Sequence, residues 1–422
     1  MPKVKSLPRG VAMVGAGMSK FGAFAEKNSR DLFVESYKAM TKSVDKGFDP
    51  AIIEAMYVGN FSSDQFEHQA HLAPILADSV GLLPIPATRV EDACASGGVA
   101  LRQGVMAIAS GMADVVLVGG AEKMTALSTA AVTEALATAA DVPFEIPAGF
   151  TFPGFYAAMA SAYMAQYGMK SEHLMNVAIK NHDNAALNPN AQFGMTIQTW
   201  MEGRVAAALK KGKPAPTWAN IWDFLHDESG NPTIAYPLRL FDCSPVSDGA
   251  AAVLLVAEEI AHQFTDHPIR IIGTAQASGS ALHDRPSLTS IPAAKTAAAN
   301  AYEMAGVSAK DIRIAEVHDC FTIAEVIASE DLGFFAPGEG FKAAEDGMTA
   351  RNGAKPINTS GGLKAKGHPV GASGVAQAVE VFKQMRGQAE ARQVDGDVSL
   401  ALTHNVGATG STCTVHVFER RN

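Results

Sequence analysis

Gly367-His368-Pro369-Val370-Gly371-Ala372-Ser373-Gly374 is a glycine-rich turn that opens a helix, and Cys94-Ala95-Ser96-Gly97-Gly98 is another, far earlier in the chain. The pair decides the fold, because the segments around each turn come in the same order. Around the first lie a strand-like run from Val11 to Gly15, a helical stretch and a second run from Ala55 to Asn60. The turn follows, then a helix carrying Val99, Leu101, Val105 and Ile108, and a closing apolar run from Asp114 to Gly120. Around the second lie Ile269 to Gly273, an Ala-rich helix from Ala293 to Ala305, and Ile314 to Asp319. The turn follows again, with a helix carrying Val375, Ala378, Val379 and Phe382, and Val398 to Leu402 closes the set. Self-similarity on this scale marks a duplicated architecture. The runs are built of small and β-branched residues without polar alternation, as in strands covered on both faces. An α/β fold is therefore predicted, with two similar mixed-sheet halves packed together and helices between and outside the sheets.

Residues 121–235 break the repeat. They are rich in Met, Ala, Phe and Pro turns and end in a polar, Lys-rich piece, Leu209-Lys210-Lys211-Gly212-Lys213-Pro214. They read as a mainly helical loop domain inserted in the first half, the kind of insertion that forms lids or ligand-binding walls. The predicted division is 1–120 for the first half, 121–235 for the insertion, 236–268 for the remainder of the first half and 269–422 for the second.

With 422 residues, 47% of them hydrophobic and 18% charged, the chain has ample apolar material for large buried sheets. No apolar run is long enough to span a bilayer. The basic opening Met1-Pro2-Lys3-Val4-Lys5 runs into Pro8, Arg9 and Gly10, not a signal-peptide core. The closing Glu419-Arg420-Arg421-Asn422 matches no carboxy-terminal address. A cytoplasmic protein is expected, away from the membrane. A net charge of −9 argues against a nucleic-acid partner. The cysteines Cys94, Cys243, Cys320 and Cys413 form no CxxC pair, so neither a metal site nor a disulfide framework is predicted.

Cys94 carries the strongest local argument for chemistry. It ends a strand-like run and stands before a helix, where free amides and the helix dipole favour a thiolate. The plain alternative is a small buried residue filling a gap. If the halves are related by a pseudo-twofold, the two turns meet and His368 faces Cys94, an arrangement that activates a thiol. A helix-capping surface histidine is the alternative there. His318-Asp319-Cys320-Phe321 ends a strand of the second half, and strand ends in α/β proteins point into clefts. Cys320 is placed to move a proton and His318 to donate to an oxyanion; sealing a domain interface is the alternative. In His404-Asn405-Val406-Gly407-Ala408-Thr409-Gly410 the glycines permit close backbone approach, and their amides offer half of an oxyanion hole. Cys413 lies in a Thr/Val strand and is predicted to pack in the sheet. Val14-Gly15-Ala16-Gly17 imitates a dinucleotide fingerprint, but its third glycine is misplaced and the acidic partner is missing.

Taken together, Glu91-Asp92-Ala93-Cys94-Ala95-Ser96-Gly97-Gly98, His318-Asp319-Cys320-Phe321 and Asn358-Thr359-Ser360-Gly361-Gly362 leading to Gly367-His368-Pro369 resemble the thiolase superfamily in order and spacing. The resemblance covers essentially the whole chain. Within the superfamily the chain is similar to the sterol-carrier-protein and archaeal acetoacetyl-CoA branch, which includes benzoylsuccinyl-CoA thiolase. Other thiolases carry Asn-Glu-Ala-Phe where this chain has His-Asp-Cys-Phe, and Cys-x-Gly where it has Asn405-Val406-Gly407. The resemblance implies a layered α-β-α-β-α thiolase fold with a loop domain, and cleavage of a β-ketoacyl-CoA by coenzyme A or the reverse condensation. It implies Cys94 as the acylated nucleophile, His368 as its base and Cys320 as the acid/base at the substrate's α-carbon. His318 would stabilise the enolate, and the amides of Cys94 and Gly407 the tetrahedral oxyanion. Ser244 falls where the family contacts the pantetheine arm. Coenzyme A is implied as substrate, with no permanently bound cofactor. A homodimer or tetramer is implied, as is a small zinc-ribbon/OB-fold subunit. The stretch 196–235, which holds Trp200, Trp218 and Trp222, is longer than the resemblance implies; surface elaboration or an oligomer contact is favoured over a changed acyl pocket or a docking surface for a partner. A ketoacyl-synthase-like condensing enzyme and a non-catalytic lipid-binding subunit share the fold. The Cys320 block speaks against the first, and the full set of catalytic residues against the second.

Overall fold

A computed structural model describes residues 6–421; the basic opening Met1 to Lys5 and the last residue, Asn422, lie outside the described residues. The strands are β1 Val11–Met18, β2 Ala55–Gly59, β3 Ala87–Val90, β4 Val115–Lys123, β5 Thr233–Ala235, β6 Leu238–Arg239, β7 Asp248–Ala257, β8 Ile269–Ser278, β9 Ile314–Glu316, β10 Leu400–Gly407 and β11 Thr412–Arg420. Nine of them form one sheet in the order β3-β2-β4-β7-β1-β8-β11-β10-β9, and β5 and β6 make a separate hairpin.

The duplication is visible from the middle of this sheet outward. One way runs β1-β7-β4-β2-β3 and the other β8-β11-β10-β9, where Ile357 pairs with Ala315 in the place that β3 occupies. Directions match as well: β2 is parallel to β3 and β4, and β9 is parallel to β10, while the other pairs are antiparallel. The halves join through a short antiparallel seam, Ala12 with Arg270 and Met13 with Ile269. The predicted pair of packed sheets is thus continuous along one edge. β7, buried along all its length, extends the first half beyond the repeat read from sequence.

Helices Ser96–Ala109 and Ser373–Met385 lie between the halves. Leu101, Val105 and Ile108 of the first and Val375, Val379 and Phe382 of the second share one core with Val116, Val253, Ile271 and Ala401 from both half-sheets. Every residue of Ser373–Met385 except Lys383 is buried. Ser29–Lys42 and Leu72–Ser79 cover the outer face of the first half; Pro292–Ala305 and Thr322–Asp331 cover that of the second. Local signals bound these elements: an Asn28–Asp31 capping box starts Ser29–Lys42, while Pro292 and Gly306 bracket Pro292–Ala305. The Gly15 and Gly17 that imitate a nucleotide fingerprint lie inside β1. A Cβ on Gly15 would sit 2.6 Å from Val44 and one on Gly17 would strike Ala39 and Met40, so they serve close helix packing.

The two glycine turns meet. A Cβ on Gly97 would lie 2.8 Å from the Gly371 carbonyl, and one on Gly374 would overlap the Gly98 amide and Asn405 Oδ1. Neither neighbour can retreat, because both are held by hydrogen bonds. Gly374→Ala is therefore expected to destabilise the fold by about 3 kcal/mol, read as a lowered urea midpoint; an unchanged midpoint would show that the turns do not touch.

The insertion occupies residues 124–247, between β4 and β7, somewhat more than the 121–235 drawn from sequence. Its two stems are clamped by a buried ion pair, Lys123 Nζ to Asp248 Oδ2 at 2.6 Å, and Asp248 Oδ1 accepts from the amides of Met124 (2.9 Å) and Thr125 (2.8 Å). Its longest helices, Phe152–Tyr167 and Ser171–Ala186, pack on the second half. Trp200 and Trp218 pack with Phe224 and Phe241 into a small core of the insertion's own, and Trp222 is exposed. Among the described residues no helix is long and apolar enough to cross a membrane.

Candidate active site

Because the two turns meet, residues distant in sequence converge. Cys94 sits between β3 and helix Ser96–Ala109, His368 stands before helix Ser373–Met385, and His318 and Cys320 occupy the loop between β9 and helix Thr322–Asp331. The thiol of Cys94 and one ring nitrogen from each of His318 and His368 lie within 4.8 Å of one another. The two imidazoles stand edge to face, centroids 5.2 Å apart. Cys94, Cys320, His368, Ser244 and Ala408 border one cavity of ≈ 150 Å³ whose remaining wall is almost wholly apolar. His318 stands behind this lining, against His368. Cys243 reaches the cavity, whereas Cys413 is buried inside β11 and packs in the core of the second half.

The tautomer of His368 follows from its neighbours. The Ser373 hydroxyl donates to the Pro369 carbonyl at 2.9 Å, so it accepts from His368 Nδ1 at 2.6 Å. That leaves the Nε2 lone pair of His368 free to take a proton. Its backbone amide is fixed by Ser247 Oγ at 2.9 Å. Burial, helped by Lys366, lowers its pKa to about 3, so the ring is a neutral acceptor.

Cys94 departs from the sequence expectation. Its helix begins only at Ser96, and burial pushes the thiol up to about 12, with Glu122 adding to the rise. The resting pair is thus a thiol and a neutral imidazole, not a thiolate at a helix start. The amides that approach the sulfur are those of Cys94 itself and Ala408. Gly407, whose amide the resemblance assigns to the oxyanion, ends β10 in register with Thr412 and directly precedes Ala408. Ala93 (φ +49°) and Ala408 (φ +52°) both hold left-handed backbone on either side of Cys94. Non-glycine residues adopt it at a cost, and such strain clusters at functional sites.

Cys320 is held protonated by burial and by the nearby Cys94, and it is hydrogen-bonded to the Tyr156 hydroxyl. Tyr156 comes from the insertion, stacks on Phe321 with centroids 4.6 Å apart and bonds the Ala408 carbonyl at 3.3 Å. Sequence reading missed Tyr156, which lies in no recognisable catalytic pattern, and gave Ser373 no role beyond its place in the second glycine turn. Asp319, between His318 and Cys320, accepts from the amides of Leu363 (2.6 Å) and Lys364 (3.3 Å) and from Asn181 Nδ2 (2.7 Å), which anchors the loop carrying both residues. Ser244 donates its amide to the Cys320 carbonyl at 2.9 Å. None of the three tryptophans borders the cavity. His404 and Asn405, predicted to follow the last strand, lie within β10. Asn405 Oδ1 accepts from the Gly98 amide at 3.1 Å, and its Nδ2 lies 2.9 Å from the Cys94 carbonyl and 3.1 Å from His318 Nδ1.

Duplicated α/β halves with a shared cysteine–histidine cavity define a thiolase-fold acyltransferase. Family comparison agrees: residues 11–259 match the thiolase N-terminal domain and residues 274–420 a thiolase C-terminal domain-like model. The chain belongs to the thiolase family. It is 46% identical to an acetyl-CoA acetyltransferase of Methanothermobacter thermautotrophicus, over 98% of this chain and 100% of that protein. It is 32% identical to benzoylsuccinyl-CoA thiolase subunit BbsB of Thauera aromatica, over 96% of both. Among solved structures it resembles the Ltp2-ChsH2(DUF35) aldolase, with a TM-score of 0.79 and 25% identity over 98% of both chains.

Proposed function

We propose that the chain cleaves a β-ketoacyl-CoA with coenzyme A, and forms the same bond in reverse by Claisen condensation, through an acyl group carried on Cys94. The observation that carries this reading is the convergence of Cys94, His318 and His368 within 4.8 Å, with Cys320 on the same cavity. In thiolysis His368 Nε2 takes the thiol proton as the sulfur attacks the β-keto carbon. With the resting thiol near 12 and the imidazole near 3, the transfer proceeds only together with attack, as the oxyanion forms. The amides of Cys94 and Gly407 receive that oxyanion, each donor being worth about 10²–10³ in rate. The Cα–Cβ bond then breaks, leaving the acyl group on sulfur and an acyl-CoA enolate. His318, through a water, donates to the enolate oxygen while Cys320 protonates the α-carbon. The imidazolium of His368 returns its proton to the cavity, restoring the Cys320 thiol. His368 is then free to deprotonate coenzyme A, whose sulfur takes the acyl group as the Cys94 sulfur leaves and recovers that proton.

Acetoacetyl-CoA is the favoured substrate over a bulkier β-ketoacyl-CoA such as benzoylsuccinyl-CoA. An apolar cavity of about 150 Å³ is filled by a single benzene ring, so a short acyl group fits this one with room for the attacking carbon. The names of the archaeal and Thauera relatives support the two chemistries in that order of identity. Ser244 on the cavity rim is suited to the pantetheine arm. A homodimer or tetramer is supported by β3, which ends the sheet with one edge unpaired among the described strands. A small zinc-ribbon/OB-fold subunit is supported by the solved relative, whose name joins Ltp2 to ChsH2(DUF35).

Intact-mass measurement after mixing the protein with a panel of acyl-CoAs tests the reading. An acetyl adduct on Cys94 that free coenzyme A removes is expected. A chain that takes no acyl group from any of them, with or without a second subunit, would overturn it.

A further inference from the structure

We propose that Asn405 is the positioning residue that sets His318 as an Nε2–H donor, so that His318 and His368 work in opposite tautomers. The inference rests on the reading of His318 as the group that steadies the enolate.

The orientation of the Asn405 amide is fixed by the Gly98 N–H, which only donates and therefore faces Oδ1 at 3.1 Å. The NH₂ group must then point the other way, where it meets two acceptors. Its hydrogens go to the Cys94 carbonyl at 2.9 Å and to His318 Nδ1 at 3.1 Å. A ring nitrogen that accepts carries no proton, and a buried neutral imidazole must then carry it on Nε2. His318 Nε2 is buried and has no protein partner, a donor kept unspent. A flipped amide would set NH₂ against the Gly98 N–H and Oδ1 against the Cys94 carbonyl, donor to donor and acceptor to acceptor, so the amide is held one way. His368 is set the opposite way by Ser373, whose hydroxyl oxygen accepts from Nδ1–H and leaves Nε2 as an acceptor. One side chain from β10 thus ties together the nucleophile's carbonyl, the first turn of its helix and the histidine of the other half.

The experiment is ¹⁵N NMR on the full chain labelled at histidine, with His318 assigned by comparison with His318→Gln. A protonated Nε2 and a bare Nδ1 are expected. In Asn405→Asp the carboxylate accepts from the ring, and His318 is expected to move to the Nδ1–H tautomer. In that variant exchange of the acetyl-CoA α-protons for deuterium should fall by about 10²-fold, at least tenfold more than acetyl transfer to Cys94. A wild-type His318 protonated on Nδ1 would overturn the proposal, even if the variant does not fold. So would an equal fall of exchange and acetyl transfer, which marks a merely structural residue. The NMR measurement needs no substrate, so it stands apart from a failure of Cys94 to acylate, which would defeat the functional reading instead.

Discussion

Cys94→Ser lowers thiolysis of acetoacetyl-CoA by about 10⁴-fold or more, in the expected result, with no acyl adduct on the protein. A nucleophile that acts as a unit with its base loses nearly all of its rate advantage when it alone is changed. The effect is larger here than a change of one atom suggests. His368 is a weak base, lowered to about 3 by burial, and can take a proton only from an acid that becomes much stronger during attack. A thiol meets that condition far better than a hydroxyl. The cavity should be otherwise unchanged, so Tm should match wild type and substrate should still bind. Steady-state kinetics with intact mass decide the matter. Substantial turnover in the variant would remove Cys94 from the covalent role.

Cys320→Ala separates the two chemical steps. Its thiol is held protonated by burial and by the neighbouring Cys94, and it is steadied by Tyr156. Loss of a positioned proton donor costs about 10²–10⁴ in rate. The cost is expected in α-proton exchange and in carbon–carbon bond formation or cleavage. Acyl transfer between acetyl-CoA and Cys94 needs no proton at carbon and should persist, so the variant accumulates as the acetyl-enzyme. If Cys413 or Cys243 held the role instead, exchange would survive in Cys320→Ala. Buried in β11, Cys413 offers no route to the cavity.

Much of this was legible in the chain. Two glycine turns, each preceded by a strand and followed by an apolar helix, disclosed the duplication, because backbone that must pass within contact distance of other backbone leaves a glycine signature. Cys94, His318, Cys320 and His368 stood out because they lie beside those turns and at strand ends. Other features left no such mark. The thiol's high pKa depends on how deeply the turns bury each other, which only packing reveals. Ser373 and Asn405 act by fixing hydrogen positions across residues brought together by the fold. Tyr156 arrives from a segment whose helical pattern says nothing of where one of its rings will point.

The insertion has a consequence for how such an enzyme can change. Thr133, Leu136, Ala139, Phe152 and Pro153, all from the insertion, face the cavity, while Cys94, His318, Cys320 and His368 belong to the duplicated frame. Cargo and chemistry are therefore inherited on separable pieces. Substitutions in the insertion can widen or narrow the acyl berth while leaving proton transfer and the nucleophile in place, and Lys123 with Asp248 keeps the graft seated as its contents drift. Tyr156, Ser244 and Ser247 cross that boundary through their contacts with Phe321, the Cys320 carbonyl and the His368 amide, which makes them the points where a new cargo would be felt by the old machinery.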